Sequence, residues 1–228
     1  MWAVVPIKLL NAAKQRLAHA LEQPDRRRLM LAMAEDVLAA LAGVSSLGGV
    51  AVVSGDPEVV ALARRFGFRH VPEPEACGHT AAVAHAATLL AGEGALGMLT
   101  LPGDVPLVTA AEIGVVLAAH GGARSVTLVP AHDRRGTNCA VCSPPTVIPL
   151  RFGKASFSPH VAAARACGVA PRVLALPGLG LDIDTPDDLE MLLNCPAPTR
   201  THAVLAASGI AARFSAAGRS TAAARAPA

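Results

Sequence analysis

The chain has 228 residues, 52% apolar and 16% charged, which supplies one sizeable core and excludes a disordered main body. The formal net charge is +3, yet no acidic residue follows Glu190 while Arg200, Arg213, Arg219 and Arg225 do, so removing those four leaves a body near −1 and the basic excess belongs to the tail. With no Tyr, one Trp, five Phe and no basic stripe, a nucleic-acid polymer is a poor partner.

Val4 and Val5 form a first strand that ends at Pro6 and feeds a loop bearing Lys8, Lys14 and Arg16. Leu29, Met33, Val37, Leu38 and Leu41 recur at three- and four-residue steps, which predicts a helix from Pro24 to about Ala42. Val50–Val53 reads as a second strand. Asp56–Pro57 starts a helix that runs through Arg65 and stops near Gly67. Arg69–Val71 is a third strand and Thr80–Leu90 a third helix. The stretch Leu99–Leu107 reads as a buried strand ending in a turn that carries Asp104, at the carboxyl end where ligands of open α/β sheets gather. Thr109 caps a helix over Ala110–Ala119, with Glu112 completing a capping box. Ser125–Val129 is the next strand.

This alternation predicts an α/β fold, a mostly parallel central sheet with helices on both faces. The regularity breaks over 132–155, where Gly136–Thr137–Asn138, Pro144–Pro145, Pro149 and Gly153 read as an inserted hairpin and loops covering one edge. A helix from about Ser158 to Ala166 follows. Thr185 as N-cap, Pro186 at the first helical position and Asp188 three residues after the cap start a last helix. Asp182 and Asp184 precede it, are not needed for it, and face one side if the segment is extended. The domain is expected to span 1–194, with 195–228 an Ala/Arg-rich disordered tail in which Ala203–Phe214 forms at most a weak helix.

No apolar run approaches ~18 residues and the N-terminus lacks a basic n-region and a long h-region, so neither a membrane span nor a secretory signal is expected. Cys77, Cys139, Cys142, Cys167 and Cys195 show no disulfide-framework spacing, which fits reduced thiols in a cytoplasmic protein. Cys139 and Cys142 make one CxxC, without the second pair or spaced His of a zinc site.

A cationic loop after the first strand, an Asp after a central strand, a second Asp before the last helix and a Thr/Gly/Ser-bearing insertion together suit phosphoryl transfer. Two carboxylates on separate elements can hold Mg²⁺, and Lys and Arg neutralise charge on the transferred group.

The combination resembles the CofC-type guanylyltransferases, which make the phosphodiester precursor of the deazaflavin coenzyme F-420 and are relatives of nucleotidyltransferases with a Rossmann-like core, the nucleotide-diphospho-sugar transferase type. The resemblance runs from Val4 to about Leu193. Its carriers are Val5–Lys8, Ala13–Leu17, Leu101–Leu107, Asp133, Gly136–Asn138, Arg151–Phe157, His160 and Leu181–Pro186. It implies that Lys8, Lys14 and Arg16 meet the GTP phosphates, that Asp104 and Asp184 hold Mg²⁺, and that Thr137, Gly153 and Ser156 bind a phosphorylated three-carbon acid. That acid is phosphoenolpyruvate, 2-phospholactate or 3-phosphoglycerate. Lys8, Arg16 and Asp104 would carry the catalysis, and a homodimer is compatible with the resemblance. Where the family usually has Gly-Leu-Asn ahead of the third helix, this chain has Gly78–His79–Thr80; Thr80 replaces Asn as cap and nucleotide donor but lacks the amide face. Positions 7–17 contain no glycine, which argues against the glycine-rich loop of sugar or molybdopterin nucleotidyltransferases, and no G-x-G-x-x-G follows the first strand as a dehydrogenase requires. The remaining rival is a non-catalytic nucleotide-binding relative.

Overall fold

The computed structural model describes residues 1–74, 78–212 and 214. Its first half runs β1 (Trp2–Pro6), α1 (Gln23–Ala42), β2 (Gly49–Val53), α2 (Pro57–Arg65), β3 (Arg69–Val71), α3 (Gly78–Gly92), β4 (Met98–Thr100) and α4 (Ala110–Ala119). The second half adds β5 (Ser125–Pro130), β6 (Thr137–Ser143), α5 (Phe157–Ala166), β7 (Arg172–Val173), the one-turn α6 (Pro177–Gly180), α7 (Pro186–Asn194) and α8 (Arg200–Ala207).

The seven strands form one sheet in the order β3-β2-β1-β4-β6-β5-β7. β1 pairs in parallel with both β2 and β4, so the strand order reverses between β1 and β4 and opens a crevice beyond their carboxyl ends. Successive residues alternate between two cores. Ala3, Val5, Val50 and Val52 face one apolar layer with Leu29, Met33 and Leu189, while Val4, Ala51 and Val53 face another with Val83, Ala86 and Leu90. The α/β expectation holds.

The region read as an edge insertion does something else. β6 is antiparallel to both β4 and β5, lies between them in the sheet interior, and is buried along its whole length. The turns of 131–136 reverse the chain so that Thr137 starts β6 at the same end of the sheet as the Asp104 turn. Because β6 is a strand, Cys139 and Cys142 point to opposite faces, one into each core, and burial raises both thiol pKa values. They cannot share a metal or form one redox pair.

Capping follows the sequence at α2 and α7: Asp56 accepts from the Glu58 N–H at 3.0 Å, and Thr185 with Asp188 forms a full capping box. At α4 only half of the expected box exists. Thr109 Oγ1 accepts from the Glu112 N–H, but the Glu112 carboxylate turns away and accepts from the N–H groups of Gly178 and Leu179 at 2.8 and 3.0 Å, tying α6 to the fold. A Cβ on Gly178 would lie 2.3 Å from the Leu107 carbonyl oxygen and 2.4 Å from Glu112 Oε2. Gly178→Ala is therefore expected to lower unfolding free energy by about 2 kcal/mol in urea denaturation; an unchanged midpoint would contradict this packing.

The packed chain extends beyond the boundary expected at 194. α8 begins at Arg200, three residues ahead of the expected weak helix, buries Thr201 and Leu205, and breaks at Gly209 with φ +69°. Asp36 on α1 accepts from the Arg200 and Thr201 N–H groups at 2.7 and 2.9 Å, capping α8 from another element. Residues 215–228, the rest of the expected tail, and Cys77 lie outside the described residues. Among the described residues no helix is long and apolar enough to cross a membrane.

Candidate active site

The loop after β1 is held rigid from both sides. Leu10 and Leu17 insert into the core, the Leu10 N–H donates to Asp56 Oδ2 at 3.0 Å, and Asn11 Oδ1 accepts from Gln23 and Arg27. Lys14 adopts the left-handed region at φ +56°, and its side chain, 3% exposed, runs inward. Lys8 and Arg16 stay at the surface of the same loop and line the same crevice.

Two acidic segments meet Lys14 there. Gly103 brings the turn after β4 against Ile7, where a Cβ would come within 2.8 Å of the Ile7 side chain. The Ile183 N–H donates to the Asp104 carbonyl oxygen at 3.0 Å, which locks the 182–184 strand-like segment beside that turn. Asp188, the capping-box partner of Thr185 at α7, also accepts from the Asp184 N–H at 3.0 Å. Lys14 Nζ then donates to Asp104 Oδ2 and to Asp184 Oδ1, the latter at 2.9 Å, with Arg16 Nη1 at 3.4 Å from Asp184 Oδ2. Burial alone would lower the Lys14 pKa, but the two carboxylates outweigh it and hold it above its ordinary value. Burial would likewise raise the Asp184 pKa, and the charges of Lys14, Arg16 and Lys8 bring it below the usual carboxylate value.

Opposite the acids stands a wall of hydroxyls. Ser156, at the entry to α5, makes no cap; its Oγ accepts from the Thr137 N–H at 3.0 Å, and both residues are buried at the crevice edge. Gly153 lies exposed beside them with nothing within 4 Å of where a Cβ would be, leaving its backbone accessible from the crevice. Thr80, expected as a nucleotide donor, lines the same crevice and ties down its rim. Its hydroxyl accepts from the Phe152 N–H at 2.9 Å and faces the Phe152 carbonyl at 3.3 Å, so both hydrogen-bonding directions are engaged in holding the 152–154 loop. Lys8, Lys14, Arg16, Asp104, Thr137, Gly153, Ser156 and Asp184 all line one crevice of about 800 Å³, within the usual size of small-molecule sites.

Asp182 and Asp184 both line this crevice, as their alternation predicts. Asn138 Nδ2 donates to Asp182 Oδ1 at 3.0 Å, yet burial, with the charge of Asp104, keeps the Asp182 pKa raised. His79 also lines the site and packs on Phe152 at 4.5 Å between centroids. Burial lowers the pKa of His79 to about 4 and that of His160 to about 4. A ring whose folded pKa lies below its unfolded value of 6.5 takes up a proton preferentially on unfolding. Stability should therefore be complete above pH 6.5 and decline as the pH falls toward 4, which urea midpoints at a series of pH values would show; a midpoint flat over that window would contradict it.

The donor set fits a divalent cation. Asp104 and Asp184 converge on a single cationic centre, and Asp104 Oδ1 is buried with no hydrogen-bond partner among the described residues. No group of three or more His, Cys, Asp or Glu side chains placed to hold a metal ion occurs among those residues. Two carboxylates in an open crevice suit Mg²⁺, which keeps several ligand positions for water and phosphate oxygens.

Solved structures share this fold. A candidate nucleotide-diphospho-sugar transferase from Desulfovibrio desulfuricans G20 superposes with a TM-score of 0.73 at 17% identity, over 93% of this chain and 96% of its own. A nucleotidyl transferase from Methanothermobacter gives a TM-score of 0.61 at 16% identity, over 84% and 94%. The chain belongs to the guanylyl transferase CofC-like family, whose model matches residues 1–225. Relatives include the phosphoenolpyruvate guanylyltransferases of Rubrobacter xylanophilus, 38% identical over 84% of this chain and 93% of that one, and of Sphaerobacter thermophilus, 39% identical over 83% and 91%. The protein is accordingly an enzyme of the nucleotidyltransferase class.

Proposed function

We propose that this enzyme transfers GMP from GTP to the phosphate of a small phosphorylated three-carbon acid, releasing pyrophosphate, as the step that prepares the phosphodiester precursor of coenzyme F-420. The observation that carries this reading is the meeting, in one crevice, of the Lys8–Arg16 cationic loop, the converging Asp104 and Asp184, and the Thr137–Gly153–Ser156 wall. Guanine as the base, and phosphoenolpyruvate as the first acid to test, rest on the family and on the names of the relatives.

The acid's phosphate monoester has a second pKa of about 6 and is mostly dianionic at neutral pH, so the attacking oxygen needs no general base. It forms a bond to the α-phosphorus while the α–β bridging bond breaks and pyrophosphate departs. The obstacle is repulsion between two anions. Lys8 and Arg16 oppose it by facing the triphosphate, Lys14 adds a positive charge beside the acids, and the tied-down loop holds the backbone of all three at the crevice before substrate arrives. A bound Mg²⁺, held by Asp104 and Asp184, would supply Lewis-acid polarisation of the phosphate oxygens. Thr137, Ser156 and the Gly153 backbone orient the acid, so that its phosphate approaches in line.

The test is pyrophosphate release with each nucleoside triphosphate against each of the three acids, with and without Mg²⁺. Release is expected with GTP and phosphoenolpyruvate and only with the metal. Release with another triphosphate alone, or undiminished release in chelator, would overturn the assignment.

A further inference from the structure

His160 takes no part in the chemistry above, yet it is buried to 1% exposure directly behind the hydroxyl wall. Its two ring nitrogens are both engaged. The Arg151 backbone N–H donates to Nε2 at 2.8 Å, and a nitrogen that accepts from an amide carries no proton. The neutral ring must then be protonated on Nδ1, which lies 2.9 Å from Thr137 Oγ1. Nδ1–H is the donor of that contact and Thr137 Oγ1 the acceptor.

A threonine hydroxyl facing a ligand can ordinarily donate or accept; with a lone pair of Oγ1 taken by His160, its own proton is left to point elsewhere. No acceptor for it occurs among the described residues, and Thr137 lines the crevice. Ser156 is treated alike: its Oγ accepts from the Thr137 N–H, leaving its own hydroxyl proton without an acceptor among the described residues. Two neighbouring hydroxyls are thus set as donors toward the crevice, an arrangement matched to a group that only accepts, such as a carboxylate or a phosphate dianion.

We propose that His160 is a positioning residue, whose Nδ1–H engages the Thr137 oxygen and leaves the hydroxyl proton free to be donated to the anionic acid. Phe152 holds the ring in place edge-on, 5.0 Å between centroids, and the 151–153 backbone that closes over Nε2 is the segment that carries Gly153. His160 therefore couples the 151–153 loop to the start of β6. The inference rests on the reading that Thr137 and Ser156 face the acid, while the tautomer itself stands on geometry alone.

Two measurements keep these separable. Two-bond proton–nitrogen NMR of the free wild-type enzyme at pH 7 should show the His160 ring neutral and protonated on Nδ1; protonation on Nε2, or an imidazolium, would overturn the proposal whatever the substrate. In steady-state assays with phosphoenolpyruvate, His160→Phe keeps the packing but removes both hydrogen bonds. It should raise KM for the acid by about 10- to 100-fold, the worth of a hydrogen bond to a charged group, with little change in KM for GTP. His160→Asn, whose amide N–H reaches the Nδ1 position, should recover most of that loss. Equal losses in both KM values, or no rescue by Asn in a folded variant, would assign His160 a packing role only. If no acid supports turnover, calorimetric binding of phosphoenolpyruvate to the same variants decides the matter: weaker binding to the Phe variant than to the Asn variant supports the proposal, and equal binding to both overturns it.

Discussion

Asp104→Asn is expected to lower guanylyl transfer by at least about 10³-fold, roughly 4 kcal/mol of transition-state stabilisation, while leaving the enzyme folded. The substitution keeps the shape of the side chain and an oxygen for Lys14 Nζ, and the Asp104 backbone carbonyl still accepts from the Ile183 N–H. What disappears is one of the two negative charges that converge at the crevice. Oδ1 is the sharper loss, because it is buried and has no protein partner to satisfy. Thermal melting should shift by the equivalent of about 1 kcal/mol or less. A variant that melts like the wild type and turns over within tenfold of it would show that the chemistry does not need the carboxylate.

Lys14→Met has the opposite signature, a loss of both stability and activity. Removing the ammonium leaves Asp104 and Asp184 facing each other without their common partner. Breaking a fully buried pair costs roughly 3–5 kcal/mol, but the Asp104 and Asp184 side chains are 20% and 42% exposed, so about 2 kcal/mol is expected. The pH dependence has a defined sign. Asp184, with a folded pKa below 3.8, contributes stability that is present above that value and lost as the pH falls through the folded pKa. Lys14, raised above 10.5, contributes stability present below that value and lost as the pH rises through its folded pKa. The variant lacks the Lys14 contribution and the share of the Asp184 contribution that Lys14 supplies, while Arg16 and Lys8 keep the rest. Because a divalent cation can take the place of the lost charge, Mg²⁺ should raise the melting temperature of Lys14→Met more than that of the wild type. Equal shifts in the two proteins would contradict the convergence of the acids on one cation.

Much of this site is written in local patterns. Apolar runs ending at Pro6 and at Gly103 mark the two strands whose ends frame the crevice, and the Thr185–Pro186–Asp188 signal separates a capping aspartate from Asp184, which is free for other work. What escaped local reading involves partners far apart in the chain. Glu112 has the spacing of a capping box, yet its carboxylate accepts from N–H groups of α6 that lie 66 and 67 residues away. α8 looks weak by propensity, and beside its local Thr199 cap it is held by Asp36, 164 residues distant from Arg200. β6 read as an edge hairpin because prolines and glycines crowd both its ends; the seven buried residues between them are what a central strand requires. Thr80 has the chemistry of a nucleotide donor, and only the position of the Phe152 backbone reveals that its hydroxyl is already engaged.

The convergence of Asp104 and Asp184 on one divalent ion beside a triphosphate is tested most directly by crystals grown with Mn²⁺ and a non-hydrolysable GTP analogue, measured at the manganese absorption edge. The expected result is a single anomalous peak between the two carboxyl groups, bounded by triphosphate oxygens, with Lys14 Nζ moved out of that position. A bound triphosphate with Lys14 Nζ still between the carboxylates and no peak there would contradict it.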